Sequence, residues 1–266
     1  MDKSRLSSIV NGHSFMKQQI PNIFTLLNLI CGCIAITYIL QNGITIDYES
    51  QEPIVLSEKM WMASLFIAIA AVVDFLDGFV ARLFNATSEM GKQLDSLADV
   101  VSFGVAPSMI VYQFLRMSYA ADANGLNVGI FLLWPAFIIA AAGAYRLARF
   151  NLDTTQSFGF KGVPIPAVGL LIASLPLIYW NTNIDLVRNL LINKWFLYTL
   201  VVIVSWLMVS TLPLMALKFK NVSVKDNLPK YILFGFALLA AIIFQWSAVP
   251  LVFMFYIIIS LFFKNK

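Results

Sequence analysis

Met60–Leu83 reads MWMASLFIAIAAVVDFLDGFVARL. It opens with fourteen residues free of charge, and the whole stretch is as long as a bilayer-spanning helix needs. Two aspartates then interrupt it near its far end, Asp74 and Asp77. A charged side chain within such a segment costs roughly 2.5–3.5 kcal/mol on insertion scales, so it marks function by default. The stretch therefore predicts both a membrane-spanning helix and a site near one end of it.

The rest of the chain extends the pattern. Of 266 residues, 60% are hydrophobic and only 12% charged, about half the charge of an ordinary soluble domain. Eight segments qualify as candidate spans: Ile20–Leu40, Met60–Leu83, Leu97–Met117, Val128–Phe150, Pro164–Trp180, Lys194–Ala216, Tyr231–Phe244 and Ala248–Phe263. The last two are short and form either a hairpin or one broken span. The predicted fold is all-α, a polytopic membrane helix bundle of about eight transmembrane helices. Residues 1–19 form a cytoplasmic amphipathic segment, 20–216 a six-span domain and 217–266 a two-span extension of the same bundle.

Charge sets the orientation. With both termini cytoplasmic, fourteen of the eighteen Lys and Arg fall inside and four outside, as the positive-inside rule requires. The outer loop 41–58 carries Asp47, Glu49, Glu52 and Glu58. The net charge of +4 is thus a topology signal, and nucleic acid is not an expected partner. Cys31 and Cys33 lie inside the first span and point in different directions, so they read as small packing residues. The inner loops leave no room for a separate soluble catalytic domain, which places any chemistry at the span ends.

Asp74 and Asp77 share one helix face with Ala81, at i, i+3 and i+7. Asp95 and Asp99 share another, at i and i+4. The turn between, Arg82–Leu94, brings the two helices antiparallel and lets four carboxylates converge. An all-oxygen donor set suits Mg2+ or Mn2+ better than zinc. Two such ions are a recurring solution for displacement at phosphorus. Gly78 and Gly91 lie within a turn of these aspartates. Each either admits a bulky diphosphate beside bare backbone or serves plain helix packing.

The pattern Asp74-x2-Asp77-Gly78-x2-Ala81-Arg82-x8-Gly91-x3-Asp95-x3-Asp99 resembles, without exception, the signature of the CDP-alcohol phosphotransferase family. The resemblance implies that an alcohol attacks the phosphorus next to the lipid and that CMP leaves. It implies that Asp74, Asp77 and Asp95 ligate two divalent metal ions, Mg2+ or Mn2+. Asp99 would stand near the second ion and act as the general base. Gly78, Ala81, Arg82 and Gly91 would line the CDP site. Pro21-Asn22-x2-Thr25 opens the first span, where the family places polar groups near the nucleotide. Asn22 and Thr25 either bind cytosine or ribose or form a satisfied polar turn behind a Pro-initiated helix start.

Three further segments resemble the phosphatidylserine synthase branch: Val101–Ser108, Tyr145–Asn151 and Phe160–Pro166. Val163 departs conservatively from a Gly-Leu-Pro-type turn. The implied donor is CDP-diacylglycerol and the implied acceptor L-serine. Serine's carboxylate needs a partner in a partly dry site. Arg146 and Arg149 could clamp it bidentately, or serve topology and lipid phosphates. Lys161 is a third candidate, and Ser102 either contacts substrate or stabilises a helix pair. A different alcohol of the same reaction type, glycerol 3-phosphate or inositol phosphate, stays open. A carboxylate-lined ion transporter is the alternative from another class. The family resemblance also implies a homodimer, while the charge-derived topology puts the active site on the cytoplasmic side of the cell membrane, its lipid donor drawn from the inner leaflet.

Overall fold

The computed structural model describes residues 3–41, 43–46, 53–56, 59–83, 88–120, 128–152, 160–215 and 224–263. Ten α-helices carry the described chain: α1 Lys3–Leu40, α2 Met60–Leu83, α3 Glu89–Asp99, α4 Ala106–Ala120, α5 Ile138–Leu152, α6 Ile165–Asn181, α7 Asp185–Leu191, α8 Lys194–Val209, α9 Val224–Phe244 and α10 Ala248–Phe262. Five described stretches are long and apolar enough to cross a bilayer, or six when α7 and α8, bent by 64° at their junction, count as one. The chain is therefore a polytopic helical membrane protein.

Helix lengths depart from the sequence-based expectation in specific ways. Pro21 does not open a helix but lies inside α1. The Thr25 Oγ1 lies 3.3 Å from the Pro21 carbonyl, the i−4 contact common for a threonine inside a helix. α3 and α4 form one stretch, 89–120, joined by a π-helical turn at Val100–Val105. Asp95 and Asp99 consequently sit within a continuous helix rather than at its start. Residues 227–262 form one apolar helical stretch long enough to cross a bilayer. Yet the rings of Phe236 and Phe255 lie 4.2 Å apart, where a straight helix would separate them by about 28 Å. The chain doubles back at Gln245–Ser247, with Gln245 at φ 48°, a left-handed conformation uncommon outside glycine.

The fold is not wholly helical. Gly43–Ile46 (β1) pairs antiparallel with Pro53–Leu56 (β2) in the predicted outer loop. Phe160–Lys161 (β3) pairs with Pro213–Leu214 (β4), stitching the loop after α5 to the end of α8. Gly162 continues this stitch, donating to the Leu212 carbonyl at 2.9 Å from φ +79°.

The core runs through the middle of the bundle. α6 is buried over most of its circumference, which an apolar helix tolerates only when neighbours surround it. Phe103, Ile110, Phe114, Ile165, Ile172 and Met208 are fully buried there. α1 and α2 pack along each other, and α3 packs on α1. This arrangement brings polar side chains of α1, α2 and α3 together.

Candidate active site

Ser88 caps α3, its hydroxyl accepting from the Gly91 amide at 3.0 Å. Capping fixes where the helix begins, and so fixes which face carries Asp95 and Asp99. On α2, Asp74 and Asp77 project from the final turns before Leu83. Asp74, Asp95 and Asp99 each offer a carboxylate oxygen, all within 4.8 Å of one another. Asp74 and Asp95 come within hydrogen-bonding reach of each other. Carboxylates this close repel, and a cation lets all of them stay ionised. The donor set is hard oxygen throughout and can hold a divalent cation.

Asp77 is buried and near enough to Asp74 and Asp95 to repel both. Its carboxylate accepts a hydrogen bond from the Thr25 hydroxyl of α1. Thr25, expected to face the nucleotide, is thus engaged with a carboxylate. Asp99 is buried too and accepts from the Asn28 amide at 3.3 Å. Sequence reasoning passed over Asn28. The available signal was its phase: Asn22, Thr25 and Asn28 recur every three residues along an otherwise apolar span.

The remaining predicted residues fall into distinct places. Asn22 is buried against Gly91, where a Cβ would meet the Asn22 Oδ1 at 3.2 Å and the Ser88 hydroxyl at 3.1 Å. A Cβ on Gly78 would meet open space. Arg82 is exposed at the end of α2. Ala81 belongs to the same helix, but its side chain lies outside the described ones. Ser102 is fully buried and donates to the Asn28 backbone carbonyl at 2.9 Å, so of its two expected roles it fills the helix-pairing one.

Arg146 and Arg149 do not form a matched pair. Arg149 donates to the carbonyls of Val209, Ser210 and Lys161 at 2.7, 3.0 and 3.4 Å, which ties α5 to the β3–β4 stitch. Arg146 is only 5% exposed, and its Nε has no hydrogen-bond partner. Its guanidinium lies over the Phe150 ring at 5.9 Å and is attracted by Asp99. Lys161 is exposed at the β3 end.

Fold and site together define a helical membrane protein whose carboxylates, carried on two adjacent spans, can bind divalent cations. The profile of the CDP-alcohol phosphatidyltransferase family matches residues 18–209, and the chain belongs to that family. Among curated proteins it is similar to the CDP-diacylglycerol–serine O-phosphatidyltransferase of Helicobacter pylori strain J99, 37% identical over 57% of this chain and 54% of that protein. The Bacillus subtilis enzyme of the same name is 35% identical, covering 60% and 76%. That of Methanocaldococcus jannaschii is 32% identical, covering 72% and 71%. The match spans about half the length of the Helicobacter relatives.

Proposed function

We propose that the protein transfers the phosphatidyl group of CDP-diacylglycerol to L-serine, giving phosphatidylserine and CMP. The observation that carries this reading is the meeting of Asp74, Asp95 and Asp99 within 4.8 Å, inside the family-matched residues. The names of the similar proteins, all serine phosphatidyltransferases among those above, support the donor and the acceptor.

In this reading the serine hydroxyl oxygen forms a bond to the phosphorus beside the lipid, and the bond from that phosphorus to the CMP oxygen breaks. Asp99 takes the hydroxyl proton, as a general base within reach of the acceptor. Asp74, Asp77, Asp95 and Asp99 would hold two divalent cations, Mg2+ or Mn2+, whose charge would neutralise the diphosphate and the departing CMP. Thr25 keeps Asp77 turned toward the cluster. The space over Gly78 leaves room for the diphosphate, with Asn22, Ala81, Arg82 and Gly91 around the nucleotide. Arg146, buried beside Asp99 with an unpartnered Nε, pairs with the serine carboxylate. Arg149 and Lys161 support that wall from behind.

The same reading places eight spans in the cell membrane with both termini cytoplasmic, residues 217–266 forming a two-span extension. CDP-diacylglycerol then enters from the inner leaflet and serine from the cytosol, and the protein works as a homodimer.

The test is purified protein in detergent with CDP-diacylglycerol, Mn2+ or Mg2+, and a panel of serine, glycerol 3-phosphate, inositol and inositol phosphate. CMP release with serine, and phosphatidylserine as the lipid product, is the expected outcome. Turnover with another alcohol alone would retain the aspartate site and discard serine. No CMP release from folded protein would overturn the reading.

A further inference from the structure

We propose that Asn28 is the positioning residue of Asp99. Asn28 sits deep in α1 and is fully buried. Its Nδ2 donates to the Asp99 Oδ1 at 3.3 Å, which fixes the carboxylate's rotation and leaves Oδ2 outside that bond. The backbone of Asn28 is itself held, because Ser102 donates to its carbonyl at 2.9 Å. Gly32, one turn further along α1, makes this approach possible: a Cβ there would run into both the side chain and the Cα of Ser102. Asn28, Gly32, Ser102 and Asp99 thus form one crossing point between the first span and the π-helical turn.

The cost of Asn28 argues for its role. Its side-chain oxygen is buried with no hydrogen-bond partner. An unsatisfied buried amide oxygen destabilises a fold, and such exceptions call for an explanation. A residue kept for packing alone would be apolar at this depth, as Ala35 and Ile39 are further along the buried face. Local rules broken without a packing benefit are characteristic of functional positions. Among the described residues, the side-chain hydrogen bond that Asn28 makes goes to a carboxylate of the cation cluster. Partners of ligating groups of this kind set ligand orientation and affinity.

The inference rests on Asp99 as a cation-binding carboxylate and not on the identity of the acceptor. Its test therefore uses Mn2+ alone. Wild type, Asn28→Leu, Asp99→Asn and the double variant are titrated with Mn2+ in detergent, with free Mn2+ followed by electron paramagnetic resonance. Melting temperatures are measured in chelator. Asn28→Leu should weaken Mn2+ binding about tenfold or more, while its chelated melting temperature equals or exceeds that of wild type. The double variant should bind no more weakly than Asp99→Asn, the non-additivity expected when one residue acts through the other. Wild-type Mn2+ affinity in Asn28→Leu overturns the proposal, as does a double variant in which the two losses add. If the leucine variant does not fold, Asn28→Ala takes its place with the same outcomes.

Discussion

Arg149 donates to the carbonyl of Val209 at 2.7 Å, binding the end of α5 to the end of α8. Arg146, one helical turn earlier, makes no such tie, and its Nε is unpartnered. Two arginines three residues apart therefore do different work. Arg149→Ala should destabilise the protein by about 1.5–3 kcal/mol, the scale of charged hydrogen bonds lost, and lower its melting temperature. Arg149→Lys should recover only part, since one ammonium cannot span the carbonyls a guanidinium fork reaches. Arg146→Ala should instead raise the KM for serine about tenfold or more, the scale of a lost charged pair, with little change in melting temperature. A thermal shift series beside acceptor titrations checks both.

Gly78 and Gly91 separate packing from binding. A Cβ at Gly78 meets nothing, so Gly78→Ala should fold as well as wild type or better, given alanine's helix propensity. Its KM for CDP-diacylglycerol should rise if the diphosphate occupies that space. Gly91→Ala brings a methyl within 3.1 Å of the Ser88 hydroxyl and 3.2 Å of Asn22. It should disturb the α3 cap and lower stability by about 1 kcal/mol. Equal melting temperatures for wild type and Gly91→Ala would contradict this.

Asp99→Asn is nearly isosteric and keeps the fold. CMP release should fall about 10²–10⁴-fold, the span of general-base contributions. Mn2+ should also raise the melting temperature of wild type more than that of the variant, because a ligand stabilises in proportion to its affinity for the folded state. Chelation should abolish turnover in wild type and remove the thermal difference. Full activity in Asp99→Asn would remove the residue from its role as base.

Gly162 holds φ +79° where the loop after α5 meets the end of α8. A Cβ there would press on the Met208 and Ser210 carbonyls. Gly162→Ala should cost about 1–3 kcal/mol, the usual range for a non-glycine residue forced into strained backbone. Loss of order at this stitch would loosen Arg149 as well, so serine KM should rise together with the fall in melting temperature.

Much of this was legible in the sequence because membrane insertion makes polar residues conspicuous. Asp74, Asp77, Asp95 and Asp99 stood out by cost and spacing, and the structure brings carboxylate oxygens of Asp74, Asp95 and Asp99 within 4.8 Å of one another. Periodicity within one helix says nothing about what lies across from it. Thr25 reads as a nucleotide contact or a satisfied polar turn, and its bond to Asp77 appears only once α2 is set against α1. Arg146 and Arg149 read as equals until the 209–215 segment supplies carbonyls to one of them. Asn28 was missed because an amide in phase with Asn22 and Thr25 carries little weight without the carboxylate it faces. The β1–β2 and β3–β4 ladders were missed because two- to four-residue strands leave no period to read.

The π-helical turn at Val100–Val105 has a consequence for phase. An extra residue in a helical turn rotates everything beyond it by about 100° relative to everything before it. The half of the span before the turn aims Asp95 and Asp99 at the carboxylate cluster. The half after it aims Ile110 and Phe114 into the apolar core and Gln113 at the Ile39 carbonyl, 3.0 Å away. One span thus keeps two clocks, and the turn is the offset between them. Removing a single residue from it would leave all four aspartates in the chain, yet it would set the two halves to the same hour and leave one of them facing the wrong neighbours.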